Sequence, residues 1–566
     1  MLKNYRKLTC LMLTGTILGG FAQSVPAFAA ANDSSSSSTK PSYIKVNAEE
    51  GCINQAISFS ENKFYINGDI VSEGNEGNYY LANGEYSSFD NDFSYDDLTL
   101  YDKKYISAEN GEYYINLENG EIIDEDIQED NLLDAQSNLR KKIKKDAKDR
   151  YSNYAVEKSL TELTNYKFND TWYEAKYSPE NTIANEYSDD FLTVYTDING
   201  NYIDADYNLG KIKVVTTNKT VSITNTEEDF EETRISISNK KTIGHDSSNI
   251  YRTTTLTITS DEGIHKINGL SINDSTTAFA ITNNGQTVSF NVIQKISKEQ
   301  SDDDIDGAKY AKTVSTYVMS KDSGTKINLA ENLNYSISRG KIITYSVSSD
   351  KVLSASTISL KTSKGYNFIG NKRISGESFD DYDVDSTGNL WLLNNGKIYR
   401  YATKEWTEAY KVDGSMNNIS IYDSNNFVVW NTDDEVYSIY ANKSDESNKG
   451  NSTEETLDSE AELDKTNFGW IKNTDGTWTY ILSDSSKKTG WLLDNSKWYF
   501  LNNDGIMQTG WINSNNIWYY LASDGSMKTG WLNDNGTWYY LDSTGAMLSN
   551  TTIDGYVLDA SGAWIK

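Results

Sequence analysis

Cysteine, histidine and proline are scarce in this chain of 566 residues. The two cysteines are Cys10 and Cys52, and Cys10 lies in a leader that we expect to be removed, so no internal disulfide can form. The two histidines, His245 and His265, lie in separate segments, whereas a zinc hydrolase needs two histidines and a further ligand in a fitting motif. The sequence therefore predicts no metal site, no cofactor, and stability that comes from packed cores.

Positive charge is also in short supply. The chain has 52 Lys and Arg against 82 Asp and Glu, and its net charge is −30. Binding to the phosphates of nucleic acid requires clustered Lys and Arg side chains, so this balance argues against nucleic acid as a partner. A net charge of this size is typical of a secreted protein that resists aggregation.

Long hydrophobic runs are missing after the first thirty residues. Leu8–Ala22 is apolar, follows a positively charged start, and precedes the small residues Ala27-Phe28-Ala29. This arrangement predicts a signal peptide over residues 1–29, with cleavage after Ala29 or Ala30. No later stretch approaches the roughly 20 apolar residues of a transmembrane helix. We therefore expect a secreted protein with no transmembrane segment.

Composition divides the rest of the chain. Residues 30–42 are rich in Ser and residues 443–467 are rich in Ser, Glu and Asp, so both are predicted to be linkers. Residues 43–442 alternate apolar and polar side chains in short runs, which predicts one or more domains made mainly of β-strands. Residues 130–163 differ, because their apolar residues recur at helical spacing, and they predict one or two amphipathic helices.

Residues 379–440 give the clearest indication of architecture in the middle region. They contain short strands separated by tight polar turns, and Asp385-Ser386-Thr387-Gly388-Asn389-Leu390-Trp391 resembles a β-propeller blade of the D-x-x-G-x-L-W kind. The resemblance implies a propeller-like fold over residues 43–442. A string of β-sandwiches is the alternative all-β fold.

The C-terminal residues 468–566 repeat an aromatic unit at a period of twenty and hold nine of the thirteen Trp. A first Trp follows Gly at Trp470, Trp491, Trp511 and Trp531, and a second Trp stands at Trp478, Trp498, Trp518 and Trp538. Turn residues lie between the two Trp of each unit, as in a β-hairpin. Because a single hairpin is not stable alone, the units are predicted to stack as a solenoid.

This pattern, G-W-x(6–7)-W-Y-Y-L-x-x-x-G-x-M-x-T-G-W, resembles the choline-binding, or cell-wall-binding, repeats of Gram-positive surface proteins. The resemblance implies that choline lies between neighbouring hairpins, in a cage of two Trp and one Tyr with a Met nearby. Aromatic faces attract a trimethylammonium group by cation–π interaction, and Met supplies an adaptable apolar wall. An alternative is that the rings are only the core of the solenoid.

The Tyr of each cage follows from strand alternation. Side chains alternate along a strand, so Trp518 and Tyr520 share a face while Tyr519 points away. The first unit has Thr479 at the position of Tyr519, and it has no preceding unit to complete. The first Tyr of a unit is therefore predicted to complete the cage of the preceding unit. The predicted choline-binding residues are Trp470, Trp478, Tyr499; Trp491, Trp498, Tyr519; Trp511, Trp518, Tyr539; Trp531, Trp538, Tyr556; and Met507, Met527, Met547.

The function expected from this resemblance is non-covalent attachment to choline-substituted teichoic acids or related wall polymers at the cell surface, with the β-rich middle region displayed as a binding domain whose partner is unknown. Two alternatives remain. The middle region could be a glycosidase or peptidase that acts on the wall, or the repeats could bind glucan. No catalytic residue is assigned, because Cys52 carries no peptidase signature and 82 acidic residues make any chosen carboxylate pair uninformative.

Three further patterns have plain structural interpretations. Asp302–Gly307 begins like an EF-hand loop, but Thr313 stands where the bidentate Glu belongs, so a solvated loop is expected. Asp383, Asp385 and Thr387 resemble a metal loop and also an ordinary propeller turn. The basic run Arg140–Lys145 is interpreted as the solvated face of a helix, with contact to a wall polymer as the alternative.

Overall fold

The structure is a computed structural model. It describes residues 44–45, 48–70, 76–82, 85–88, 98–151, 156–163, 167–179, 191–273, 275–371, 374–441, 469–473, 477–481, 487–494, 497–502, 504–514, 517–534, 536–542, 544–553 and 555–565. The predicted signal peptide (1–29) and the two predicted linkers (30–42 and 443–467) lie outside the described residues.

The fold is mainly β, as predicted. The described residues contain one α-helix, Ile127–Asp146, and two single turns of 3-10 helix, Glu109–Gly111 and Asn283–Gly285. All other regular elements are strands, most of them three to seven residues long and separated by turns rich in Asn, Asp and Gly. Such turns suit these residue types because Asn and Gly tolerate positive φ.

One seven-stranded sheet joins the two ends of the middle region. Its strands, in spatial order, are Asn418–Asp423, Asn426–Asn431, Val436–Ala441, Glu49–Ser60, Lys63–Ile70, Glu76–Ala82 and Glu85–Ser88. The join is the antiparallel pairing of Glu49 with Tyr437. Ile53, Phe64 and Val428 come from both sides of this join and lie in one core. Glu49–Ser60, near the start of the middle region, and Val436–Ala441, its last described strand, therefore belong to one folded unit.

A neighbouring sheet contains the blade-like motif. Its strands are Ile44–Lys45, Trp406–Lys411, Lys397–Tyr401, Leu390–Asn394 and Asp381–Val384. The last four form the four-stranded meander that the motif predicts, and the first pairs with Trp406–Lys411 in parallel. The propeller itself is not confirmed, because other sheets in the described residues have six, seven and ten strands.

The helix Ile127–Asp146 begins at Asp126, whose carboxylate accepts a hydrogen bond from the backbone N–H of Glu129 at 2.9 Å. It buries Leu139 and Ile143 against the sheet that carries Ala175 and Tyr177, and it leaves its basic residues on the outer face. The predicted helical stretch over 130–163 is wrong in its second half. Residues Val156–Glu162 form a strand, in which Thr161 and Glu162 pair with Glu174 and Tyr173.

Two smaller sheets lie on either side of this helix in the sequence. The four-stranded sheet contains Thr99–Tyr101, Tyr105–Ala108, Tyr113–Asn116 and Ile122–Ile123. The six-stranded sheet contains Val156–Glu162, Tyr173–Tyr177, Leu192–Thr196, Tyr202–Asp204, Ala308–Ala311 and Gln300–Ile305. Chain segments about 100 residues apart thus meet through the pairing of Asp204 with Tyr310.

The largest sheet has ten strands and shares a core with a four-stranded sheet. The ten are Thr233–His245, Asn249–Ser260, Thr287–Ser297, Val314–Val318, Tyr366–Asn371, Val352–Ser363, Lys341–Val347, Asn334–Ser338, Ala280–Thr282 and Ser375–Ser378. The four are Thr220–Asn225, Asn208–Thr216, Ile264–Ile267 and Leu270–Ser271. Ile212 and Ile223 of the small sheet lie with Leu256 and Phe290 of the large one, as in the packing of two sheets face to face.

A buried charge cluster links the six-stranded and ten-stranded sheets. The carboxylate of Asp206 accepts from the guanidinium of Arg252 at 2.6 Å and from the ammonium group of Lys240 at 3.0 Å. Arg252 also donates to the side chain of Gln294 at 2.9 Å. Burial opposes ionisation of Asp206, but the charges of Arg252 and Lys240 outweigh it and lower the pKa of Asp206 to about 2.

The C-terminal repeats form a series of β-hairpins, as predicted. The hairpins are Gly469–Lys472 with Trp478–Ile481, Gly490–Asp494 with Lys497–Leu501, Gly510–Ser514 with Ile517–Leu521, and Gly530–Asp534 with Thr537–Leu541. A final three-stranded sheet contains Thr551–Ile553, Tyr556–Leu558 and Trp564–Ile565. Each hairpin thus has its own two-stranded sheet, and side chains and linking segments connect one hairpin to the next.

Candidate functional site

The hairpins place both Trp of a unit on one face. In the second hairpin Trp491 pairs across the strands with Phe500, and Leu493 pairs with Trp498. Because side chains alternate along a strand, both indoles project to the same side. The other side carries Leu501, which is buried in a core with Tyr499 of its own hairpin and Trp470 of the preceding one.

The first Trp of each unit contacts a Tyr of the next unit. The ring centroids of Trp491 and Tyr519 are 4.7 Å apart, and those of Trp511 and Tyr539 are 4.9 Å apart. The corresponding distances are 4.9 Å for Trp470 and Tyr499 and 5.3 Å for Trp531 and Tyr556. These are the four Trp–Tyr pairs that the sequence predicts from the alternation of side chains along a strand and from Thr479 in the first unit.

The second Trp stands at a right angle to the first and is half open to solvent. Centroid distances are 6.2 Å for Trp491 and Trp498, 6.5 Å for Trp511 and Trp518, and 6.4 Å for Trp531 and Trp538, with interplanar angles of 78–87°. The second Trp is 40, 45 and 39% exposed in these three units. Trp478 of the first unit has the same cross-strand register and is 37% exposed.

The first indole is held in place by a polar residue of the following hairpin. Nε1 of Trp511 donates to the carboxylate of Asp534 at 2.9 Å, and Nε1 of Trp491 donates to the hydroxyl of Ser514 at 3.3 Å. Both acceptors lie 23 residues beyond their Trp. With its polar edge satisfied in this way, the indole can present its apolar face to a ligand.

The Gly before the first Trp has a conformational role. Gly490, Gly510 and Gly530 have φ between +72 and +77°, and an added Cβ would meet nothing within 4 Å. Positive φ, and not lack of space, therefore requires Gly here. Asn550 occupies the equivalent position in the final segment with φ of +50°, which Asn tolerates.

The Met of each unit packs on the turn of the next. A Cβ on Gly525 would lie 2.3 Å from the sulfur of Met507, and Gly545 stands in the same relation to Met527. The backbone N–H of Met527 also donates to the carbonyl of Trp498 at 2.7 Å. The period of Met thus reflects contact between neighbouring units. Sequence reasoning missed this role, although a Gly recurs two residues before each Met, at Gly505, Gly525 and Gly545.

Each of units two to four therefore presents two perpendicular indoles closed by a Tyr of the next unit. We call these groups aromatic clusters: cluster two is Trp491, Trp498 and Tyr519; cluster three is Trp511, Trp518 and Tyr539; cluster four is Trp531, Trp538 and Tyr556. Their ring faces offer negative electrostatic potential and no hydrogen-bond acceptor of their own, which suits a large, weakly hydrated cation.

The histidines and the cysteine of the middle region lie apart. Nδ1 of His245 is 2.9 Å from Nζ of Lys298, and burial lowers the pKa of His245 below its ordinary value and that of Lys298 to about 7. His265 lies on another strand, beside Thr217. The sulfur of Cys52 is 3.8 Å from the carbonyl of Thr432, a group that cannot take up a proton. These contacts do not assemble a nucleophile with a base.

The two loops that resemble metal sites are explained by internal hydrogen bonds. The carboxylate of Asp385 accepts from the hydroxyl of Thr387, the amide of Asn389 and the indole N–H of Trp391, at 2.7–2.8 Å. The loop predicted at Asp302–Gly307 is wrong in its first part, because Asp302 lies within the hairpin strand Gln300–Ile305. The carbonyl of Asp302 there accepts from Nζ of Lys309 at 2.6 Å. Within the described ranges, no group of three or more His, Cys, Asp or Glu side chains could hold a metal ion.

The single helix in the described part of the chain is too polar to span a bilayer.

Comparison with known proteins places the repeats in a family. Residues 508–551 match the choline-binding repeat and residues 489–507 match a cell wall binding repeat, described as putative. Among solved structures, the choline-binding domain of Spr1274 from Streptococcus pneumoniae is 48% identical over 14% of this chain and 96% of its own, with a TM-score of 0.14. No curated protein matches the chain.

Two pneumococcal proteins longer than that domain also match this chain. The modular autolysin LytC is 28% identical to this chain over the matched part, which is 17% of this chain and 28% of the autolysin. The TM-score is 0.12. Choline binding protein F is 15% identical over 92% of this chain and 99% of its own, with a TM-score of 0.17.

Proposed function

The chain belongs to the choline-binding repeat family, and we propose that its repeats attach a secreted protein non-covalently to choline-bearing polymers at the cell surface. The observation that carries this proposal is the half-exposed second indole of clusters two to four, at right angles to a first indole. A solenoid core alone would bury such a ring, because exposed apolar surface of this size is unfavourable.

Choline fits the clusters for chemical reasons. Its trimethylammonium group donates no hydrogen bond and is weakly hydrated, so ring faces compete with water for it at a gain of about 2 kcal/mol or more once the group is desolvated. The repeats carry six Lys and nine Asp over residues 468–566, a net charge of −3. Ionic attraction to an anionic polymer is therefore not the basis of this binding, whereas recognition by rings needs no net positive charge.

The binding residues we propose are those of the four units, each completed by its successor. In the first unit the cage is Trp470 and Trp478 with Tyr499, and clusters two to four supply the others. Met507, Met527 and Met547 pack between units, and we propose that they also form the apolar floor beside each cation. Several such sites on one stacked module give avidity for a polymer that carries many choline groups.

For the rest of the chain we propose a leader over residues 1–29, linkers at 30–42 and 443–467, and a middle domain over 43–442 that the repeats display at the surface. The pairing of Glu49–Ser60 with Val436–Ala441 supports a middle region that folds as one unit. Secretion would place this unit outside the membrane, where the wall polymer is accessible.

Retention on an immobilised choline column tests the proposal. The full chain should bind and should elute with free choline, and glucose polymers should not displace it. A variant with Trp498, Trp518 and Trp538 all changed to Ala should pass through. Elution by sugars instead of choline, or passage of the unmodified chain through the column, would show that the repeats serve another ligand.

A further inference from the structure

A cavity of about 510 Å³ lies between the middle region and the second hairpin. From the hairpin side, Trp491 and Trp498 of cluster two line it, together with Lys488. From the middle region, Trp172, Lys295 and Lys298 line it. Cluster two therefore borders a chamber that also contains side chains from a distant part of the chain.

The cavity holds a surplus of available positive charge. Its three carboxylates already have partners: Asp170 pairs with Lys103 at 2.8 Å, Glu299 pairs with Lys312 at 3.2 Å, and Asp246 accepts from Tyr251 at 2.9 Å and from backbone N–H groups. Among the described residues, the ammonium groups of Lys295 and Lys488 make no ion pair with a carboxylate.

The aromatic lining continues from cluster two into the middle region. Nζ of Lys298 lies 4.7 Å from the ring centre of Trp172, so an amino group already covers one face of that indole. Trp491 and Trp498 line the same cavity from the hairpin. The indoles of Trp491 and Trp498 suit a quaternary ammonium group, and the lysines of the cavity suit an anion. A small molecule that carries both charges can fit in this volume.

We infer that this cavity binds a phosphocholine group, with the trimethylammonium end in cluster two and the phosphate beside Lys295, Lys298 and Lys488. The inference rests on the proposed choline binding and extends it to the phosphate that joins choline to its polymer. Clusters three and four are not among the residues that line the cavity, so this site alone should recognise the phosphate. Lysine is well suited to a phosphate as a compact point charge.

Calorimetric titration of the full chain with choline and, separately, with phosphocholine tests this inference. We expect one site that binds phosphocholine about tenfold more tightly than choline, the effect of a single charge-assisted hydrogen bond. The remaining sites should bind the two ligands equally. The double variant K295M/K488Q should lose the preference and keep its choline sites.

The repeats offer a matched control. Lys528 lies forty residues after Lys488, and both donate their backbone N–H to a Tyr carbonyl, Tyr520 and Tyr480, at 2.8 Å. Gln508 stands at the same position in the unit between them, so Gln is compatible with this backbone. K528Q should keep the preference for phosphocholine that K488Q weakens.

Equal affinities for the two ligands at every site would overturn the inference while leaving choline binding intact, and absence of binding to either would defeat the proposed function itself. Loss of the preference in K528Q would also overturn it, since the effect would then be one of overall charge.

Phosphocholine can come from a wall polymer or from a lipid. Pull-down with choline-bearing teichoic acid, beside flotation with phosphatidylcholine vesicles, identifies the source, and failure of both would count against the site.

Discussion

The middle region and the repeats use the same kind of residue in opposite ways. Trp391 of the middle region is 1% exposed and donates its indole N–H to Asp385 at 2.7 Å, whereas Trp518 of the repeats is 45% exposed. The middle region buries charges as well, including Arg252 at 0% exposure. One region uses rings and charges to hold its own sheets together, and the other leaves the second ring of each unit half open to solvent.

The largest expected effect is on the buried charges of the middle region. Asp206→Asn removes the carboxylate between Arg252 and Lys240 and leaves two buried cations uncompensated, so the free energy of unfolding should fall by about 3–5 kcal/mol. Urea unfolding followed by circular dichroism measures this. Asp229→Asn is the control, because Asp229 pairs with Arg234 on the surface and should matter by less than about 1 kcal/mol.

The same carboxylate gives a pH dependence with a definite sign. The pKa of Asp206 is lowered to about 2 from a reference value near 3.9, so its stabilisation is present above about pH 4 and is lost as the pH falls through about 2. The loss should be about 2.5 kcal/mol. The D206N variant should lack this component, and an unchanged acid dependence would show that other groups control it.

The next effect concerns the contact between repeats. Gly525→Ala combines a positive φ of +82° with a clash against Met507, and should destabilise the module by about 2–3 kcal/mol. Gly530→Ala has φ of +77° but open space, so about 1–2 kcal/mol is expected. Thermal unfolding followed by Trp fluorescence compares them. Equal losses would mean that Met507 moves aside easily.

A smaller effect is expected at a single binding site. Trp518→Ala should remove one choline site, with a loss of about 2 kcal/mol at that site and little change at the others. Calorimetric stoichiometry measures this as one site fewer. Ile517→Ala changes an equally exposed apolar neighbour on the opposite face of the strand and should leave the stoichiometry unchanged. Equal effects of both variants would contradict the assignment of cluster three.

The last prediction is that pH does not change the binding of choline by clusters three and four of the repeats. Choline carries a permanent charge and indoles do not titrate in this range. The choline affinity of clusters three and four, which do not line the cavity that holds Lys298, should therefore be the same at pH 5 and pH 8 when measured by calorimetry. A marked change would indicate that a titratable group takes part in the clusters. The middle region, whose stability depends on the ionisation of Asp206, would then no longer be the only region with a pH-dependent property.

The repeats could be predicted from sequence to the level of single contacts, and the middle region could not. A period close to twenty fixes the register of each hairpin, and side-chain alternation then places Tyr519 against Trp491. The middle region has no such period. Val156–Glu162 reads as helical by spacing, yet it forms a strand because the adjacent strand Tyr173–Tyr177 pairs with it, a long-range contact that outweighs local pattern.

The cavity between the middle region and the second hairpin could not be predicted from the sequence either. Its lining comes from segments near residues 170, 246, 297, 339 and 490, which only the tertiary structure brings together. Lys295 and Lys488 look like ordinary surface lysines in the sequence, and Trp172 lies outside the repeat. The role of Met also needed coordinates, because a recurring Met is equally compatible with ligand contact and with packing against the next turn.

The seven-stranded sheet has a consequence for how the protein is made. Residue 49 pairs with residue 437, so a growing polypeptide must wait for almost four hundred further residues before that edge is covered. Closing so long a loop is slow, and until then an open hydrogen-bonding edge is exposed to aggregation. The seven-stranded sheet therefore cannot be completed until residues 436 and 437 are available for pairing.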